Sequence, residues 1–243
     1  MIKLDKLRKS FNGRLVLRDL SFEARDSAIT GLLGVNGAGK TTTLRTICGV
    51  LQPESGSVTI DHETAEVASP QMQQSIGALL DHIGLYARLT VRENLEYFGR
   101  LRGMDSPALS RGVDRLISVL GLEAIADRPT AGFSQGERMK TALGRAILHS
   151  PKNLLLDEPT NGLDILTIRS LRELLKRLRD EGTCVIFSSH VLEEVRALCD
   201  TVVVISDGRI AAQGSATDLC SQTSAACLED AFVQLTSARE VQI

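Results

Sequence analysis

The run "GVNGAGKTT", residues 34–42, restricts this chain more than any other feature. From Gly34 the spacing is Gly, four residues, Gly39, Lys40, Thr41, the pattern of a phosphate-binding loop. Glycines at 37 and 39 let backbone N–H groups approach phosphate oxygens with no Cβ in the way. Lys40 places a charge near the outer phosphates. The Thr41 hydroxyl is a hard oxygen ligand suited to Mg²⁺. Ahead of the loop "AITGLL" reads as a short buried strand, and Thr42–Cys48 reads as a helix whose N-terminus faces the anion. Strand, loop and helix arrive in the order that the chemistry requires. The candidate nucleotide-binding set is Gly34, Asn36, Gly37, Ala38, Gly39, Lys40, Thr41 and Thr42. The loop alone does not separate a kinase from a GTPase or an ATP-driven machine.

Composition narrows the setting. The 243 residues suit one large domain, or one domain with an inserted lobe. Aromatics are only 3%, so the core is aliphatic, and the net charge of −2 provides no general electrostatic footprint for nucleic acid. No apolar run reaches the length of a membrane helix, and the opening "MIKLDKLRKS" lacks the apolar centre of a signal peptide. The expectation is a cytoplasmic chain that reaches a membrane only through a separate partner. The five cysteines show no metal-binding spacing and read as reduced thiols, mostly buried.

Residues 1–30 read as strands and turns, and "SGSVTI" at 55–60 as another strand. Pro70 follows Ser69 as a helix start. From about 82 to 150 the signals are helical. Thr90 with Glu93 and Ser134 with Glu137 are capping boxes, and a further helix stops near Gly121. Beyond 150 the pattern alternates: a strand "NLLLDE", a helix over 168–180, a strand "TCVIFSS", a helix over 191–199 and a strand "TVVVIS". Asp207–Gly208 then turns into "RIAAQG" as a hairpin. Alternation of this kind predicts a mainly parallel sheet with helices on both faces. The chain therefore reads as α/β, with a small N-terminal antiparallel β subdomain and an α-helical lobe inserted at about 82–150. The expected division is 1–220 for the main domain and 221–243 for a short helical tail, whose helical signal begins near 216.

Three more segments carry chemistry. In "LLLDEP" an apolar strand ends in Asp157, placed for a water-mediated contact to Mg²⁺, and Glu158 beside it can polarise an attacking water as a general base. His190 comes after the next strand, at the end where α/β sheets hold their ligands, and can reach a γ-phosphate. "FSQGERMK" opens a helix with Ser134, Gln135, Gly136 and Glu137, a second anion-type helix start. One ATP does not need two such starts from one chain, whereas two chains packed head to tail could use both.

In this order, "GVNGAGKTT", "FSQGE", "LLLDEP", "NGLD" and "SSH", the chain resembles the ATP-binding subunits of ABC transporters over nearly its whole length. The resemblance implies a P-loop NTPase core, ATP and Mg²⁺ as ligands, and a homodimer that sandwiches ATP. It implies that Ser134 and Gly136, with Gln135 and Glu137, meet the partner's nucleotide, and that Asp164 lies at the dimer interface. Phe11 matches the aromatic position that stacks on adenine. The helical lobe would dock on a polytopic membrane permease, so the chain would sit peripherally on the inner face of the cell membrane, with no nucleic-acid partner. Lys40, Glu158 and His190 are the candidate catalytic residues, and Thr41, Asp81 and Asp157 the candidate metal ligands.

Two departures stand out. The signature, usually Leu-Ser-Gly-Gly-Gln, reads Phe133-Ser134-Gln135-Gly136-Glu137, and the usual glutamine ahead of the lobe is Asp81. Within the family, "GLYARLTVRENLEYFGRL", "FSQGERMK", "SSHVLEEV" and "LEDAFVQLT" look like the subunit of bacterial sodium exporters. Exporters of drugs, lipids and polysaccharides share much of this pattern and stay open as alternatives. So do a soluble ATPase of the same type and a subunit that binds nucleotide without turnover.

Overall fold

The apolar run Ala28–Leu33 forms β3, and two neighbours of the same kind flank it. In the computed structural model, which describes residues 1–64, 70–80 and 84–237, β3 lies inside a six-stranded sheet. The other strands are β6 (Ile76–Leu79), β7 (Asn153–Asp157), β8 (Cys184–Ser189), β9 (Thr201–Ser206) and β10 (Arg209–Gly214), in the order β10-β9-β3-β8-β7-β6. Every pairing from β9 to β6 is parallel, and only the β10 edge is antiparallel. Parallel neighbours need crossovers. These are supplied by α1 (Lys40–Ile47), α6 (Ile165–Asp180), α7 (Leu192–Leu198) and the long excursion through the lobe.

A sheet covered on both faces buries alternate side chains in two separate cores. Leu154, Leu156, Val185 and Phe187 belong to the core beneath the lobe and α6. Leu155, Ile186, Val203 and Leu32 point the other way, into a core closed by α1 and a second, four-stranded antiparallel sheet. That sheet runs β2-β1-β4-β5, from Arg14–Ala24, Ile2–Phe11, Ser55–Ile60 and Glu63–Thr64. The lobe holds α3 (Val91–Leu101), α4 (Ser106–Val119) and α5 (Gln135–Ile147), preceded by a short α2 (Pro70–Ser75). Both expected capping boxes form, at Thr90 with Glu93 and at Ser134 with Glu137. Among the described residues no helix is long and apolar enough to cross a membrane. All five cysteines are free, with Cys184 buried and the other four half-buried. Burial pushes the Cys48 and Cys184 thiols up to about 12.

Two boundaries differ from the expectation. Helix α6 begins at Ile165 rather than 168, because the Asp164 carboxylate caps it by accepting from the Thr167 N–H at 3.0 Å. A cap four residues ahead of Ile168 starts the helix about a turn earlier. The chain end forms two helices, α8 (Ala216–Thr223) and α9 (Leu228–Ser237), and the expected division after residue 220 falls inside α8. Leu219, Leu228 and Ala231 are buried in the main core, so both helices are packed on the sheet.

The β9–β10 turn joins the two sheets to the phosphate loop. Gly208 donates its N–H to the Ala38 carbonyl at 3.2 Å and accepts from the Arg18 N–H at 2.8 Å. Its φ is +72°, and a Cβ there would stand 2.1 Å from the Val16 carbonyl oxygen. Gly208→Ala combines positive-φ strain with overpacking and should cost about 1–3 kcal/mol. Urea unfolding checks this; an unchanged midpoint would mean that β2 gives way freely and that the turn is no joint.

Candidate functional site

Three loops meet where β3, β7 and β8 end. The parallel register sets Leu33 beside Ser189 and Asp157 beside Ser188, so the three strands release their next residues along one edge. After β3 comes the phosphate loop, after β7 Glu158, and after β8 His190.

The phosphate loop ends at Gly39, whose φ of +111° turns the chain into α1 with no side-chain cap on its first turn. The uncapped N–H groups there form an anion-binding end. A cavity of about 440 Å³ opens in front of it, lined by Asn36, Gly37, Gly39, Lys40, Thr41 and Thr42, and by Glu158 from the loop after β7. Gly34 and Ala38 are buried in the loop's base and do not line the cavity. Lys40 is 6% exposed. Its Nζ donates to the Gly34 carbonyl at 2.7 Å and lies 3.6 Å from Glu158 Oε1. An entering phosphate would compete with that carboxylate for the cation.

Glu158 is the hub of the cluster. Its φ of +47° is a conformation that non-glycine residues rarely take, and it holds the side chain between two partners. Oε1 faces Lys40, and Oε2 is 2.9 Å from His190 Nδ1. The backbone is fixed from below: the Glu158 N–H donates to Ser188 Oγ at 3.0 Å, and that hydroxyl donates to Asp157 Oδ1 at 2.5 Å. Asp157 is 5% exposed at the strand end and lies behind Glu158 rather than in the cavity lining, whereas Thr41 lines the cavity next to Lys40. The two supply hard oxygen donors of the kind Mg²⁺ takes. Among the described residues no group of three or more His, Cys, Asp or Glu side chains could hold a metal by itself. A cation here would complete its shell with phosphate oxygens and water, as Mg²⁺ commonly does.

Other expected site residues lie elsewhere. Phe11 is 42% exposed and does not line the cavity; it pairs across the β1–β2 turn with Arg14, which does. Beside Leu15 and Gly208, three further side chains, Arg14, Val16 and Asp207, complete the wall. Sequence reading missed all three, since only the packing of the β9–β10 turn on β2 brings them to the loop. Asp81 lies outside the described residues. Ser134, Gln135, Gly136 and Glu137 open α5 and are not part of the cavity. They lie instead against the segment after Glu158. A Cβ on Gly162 would meet Gln135 Cγ at 3.4 Å, and one on Gly136 would meet Thr167 Oγ1 at 3.5 Å. Asp164, capped onto Thr167, is held below the usual carboxylate range by the Thr167 hydroxyl and N–H. The chain thus keeps the uncapped start of α1 and the Ser134-capped start of α5 on separate surfaces.

The ABC transporter family model matches residues 17–161. The chain is 40% identical to the ABC transporter ATP-binding protein NatA of Bacillus subtilis (strain 168), across 84% of this chain and 83% of that protein. It is 33% identical to the linearmycin resistance ATP-binding protein LnrL of the same organism, across 97% of this chain and 75% of that one. The solved structure of an ATP-binding subunit of an ABC transporter superposes with a TM-score of 0.90 at 27% identity, covering 97% of this chain and 99% of that one.

The α5 cap yields a pH test. The Ser134 N–H, and then its hydroxyl, hold the Glu137 carboxyl below its ordinary value of 4.5. A depressed folded value means stability that is fully present above that ordinary value and lost as pH falls through the lower folded one. Ser134→Ala should cost about 0.5–1 kcal/mol at neutral pH, the low end for an exposed cap. That difference from wild type should shrink in acid. Urea midpoints at neutral and acidic pH would show it, and a gap that is the same at both would remove Glu137 from the account.

Proposed function

The chain belongs to the ABC transporter family, and from that premise we propose how its residues divide the work. It is an ATP-binding subunit, an ATPase coupled to transport. In the proposed cycle two copies close over two ATP molecules. Lys40 and the N–H groups of the phosphate loop bind the β- and γ-phosphates, with Gly34 and Ala38 shaping the loop's base. Phe11 stacks on adenine next to Arg14. Ser134, Gln135, Gly136 and Glu137 of one copy cap the γ-phosphate bound by the other, and Asp164 lies at the joint between them.

The observation that carries this reading is the convergence of Lys40, Glu158 and His190, two contacts of 3.6 and 2.9 Å, at the edge of the cavity. Glu158 then accepts a proton from the attacking water, and His190 holds Glu158 and the γ-phosphate in line. Thr41, Asp157 and Asp81 would hold Mg²⁺, which neutralises phosphate charge when bound. The separation of the α5 surface from the cavity supports the homodimer. A single copy leaves that surface with no phosphate to meet, whereas a head-to-tail pair occupies both.

We further propose that the closed dimer drives a polytopic permease docked on the helical lobe, at the cytoplasmic face of the membrane, and that transport runs outward. The resistance function in the name of LnrL fits export. The proposed cargo is Na⁺, on the sequence resemblance to sodium exporters, with drugs, lipids and polysaccharides as the competing class.

Glu158→Gln should abolish turnover while retaining ATP, trapping a dimer visible by size-exclusion chromatography. Wild-type hydrolysis by this variant would remove Glu158 as the base. For the cargo, the chain is co-reconstituted in proteoliposomes with the polytopic membrane protein encoded beside it, and ATPase activity is measured with and without Na⁺. Stimulation that disappears in Glu158→Gln supports sodium export; indifference to Na⁺ transfers the proposal to the larger substrates.

A further inference from the structure

Among the described residues, one buried carboxylate has no cation beside it and no place in the cycle above. Glu194, on α7, is 6% exposed. Its Oε2 accepts from Thr160 Oγ1 at 2.5 Å and from Ser189 Oγ at 3.1 Å. Thr160 stands two residues after Glu158 and Ser189 one residue before His190. Both hydroxyl side chains are themselves buried, at 7% and 0% exposure. The Ser189 hydroxyl also accepts from the Val191 N–H at 3.0 Å, closing the turn around His190. On the other loop the Asn161 N–H donates to the Glu158 carbonyl at 3.1 Å, and the Leu163 N–H to the Thr160 carbonyl at 3.1 Å.

We propose that Glu194 is a positioning residue: a single carboxylate oxygen ties the loop carrying Glu158 to the loop carrying His190 and sets the contact between them. The two loops leave neighbouring strands, and above the sheet no ladder holds them. Their mutual spacing beyond β7 and β8 depends on side chains. His190 is 48% exposed and so is only loosely held by packing. Its ring direction is set by its backbone, which the Ser189 anchor holds, and by Glu158, which the Thr160 anchor holds. Burying a carboxylate on hydroxyl donors alone is expensive compared with an apolar side chain. A pure packing role would be filled better by leucine. The tether also reaches further, because the Thr160 loop continues to Asp164 and the α6 cap.

The inference rests on the assignment of Glu158 and His190 to hydrolysis, and the test separates the two. Steady-state ATP hydrolysis by the full chain with Mg²⁺ is measured for Glu194→Gln, Thr160→Val, Thr160→Ser and Glu158→Gln. Equilibrium binding of a non-hydrolysable ATP analogue and the Tm are measured on the same samples. Misplacing a catalytic pair by a fraction of an ångström should lower kcat about 10- to 100-fold in Glu194→Gln and in Thr160→Val. KM and analogue Kd should stay within about twofold, because the phosphate loop is untouched. Thr160→Ser keeps the hydroxyl and should retain activity. The double variant Glu194→Gln/Thr160→Val should be no slower than the slower single one, since both remove one tether. Normal kcat in Glu194→Gln beside an inactive Glu158→Gln overturns the tether alone. So does a joint fall of kcat, analogue affinity and Tm, which marks a merely structural role. Wild-type turnover in Glu158→Gln overturns the hydrolytic assignment and the tether with it.

Discussion

The parallel ladder of β3, β8 and β7 is the constraint on which the rest of the structure depends. Side-by-side strands running the same way must end on the same edge, so three segments far apart in sequence deliver their next residues to one place. Lys40, Glu158 and His190 come together only because β8 lies between β3 and β7 in register. The sheet in turn depends on two apolar faces, since a parallel sheet with either face wet would expose its own core. The second antiparallel sheet and the helical lobe are the two covers.

Polar groups at the edge of this sheet are buried in numbers that only a connected network tolerates. Lys40, Asp157, Thr160, Ser188, Ser189 and Glu194 are all largely out of water. Each has a hydrogen-bond partner beside it: the Gly34 carbonyl for Lys40, Ser188 for Asp157, and Glu194 for Thr160 and Ser189. Glu158 takes an uncommon backbone conformation at the centre. Its φ of +47° and the buried charges of Lys40 and Asp157 stand together at this edge of the sheet.

Much of the fold was legible because its signals are local. The strands after 150 are unbroken apolar runs, and both capping boxes carry a hydroxyl three residues before a glutamate. These read correctly to within a residue or two. The start of α6 did not, because an aspartate can cap a helix or meet a partner and its spacing alone does not choose. The chain end read as a short tail, yet Leu219, Leu228 and Ala231 pack into the main core. Nothing in an amphipathic stretch states which surface it will find. In the site, residue type and strand-end position marked Lys40, Asp157, Glu158 and His190. Arg14, Val16 and Asp207 carry no motif and join the cavity wall only through the β9–β10 turn.

The amino-acid sequence by itself determined the chemistry: a loop that can bind phosphate, carboxylates at a strand end, a histidine at another, and a second anion-type helix start. These rest on side-chain type, short spacing and hydrophobic period, all of which are local. Only the tertiary structure decided the distances and the division of surfaces. It placed Glu158 between Lys40 and His190, kept Ser134–Glu137 away from the cavity, and ran Thr160, Glu194 and Ser189 into one tether. Those outcomes depend on strand order and on which loops share an edge, and strand order is set by how whole faces pack.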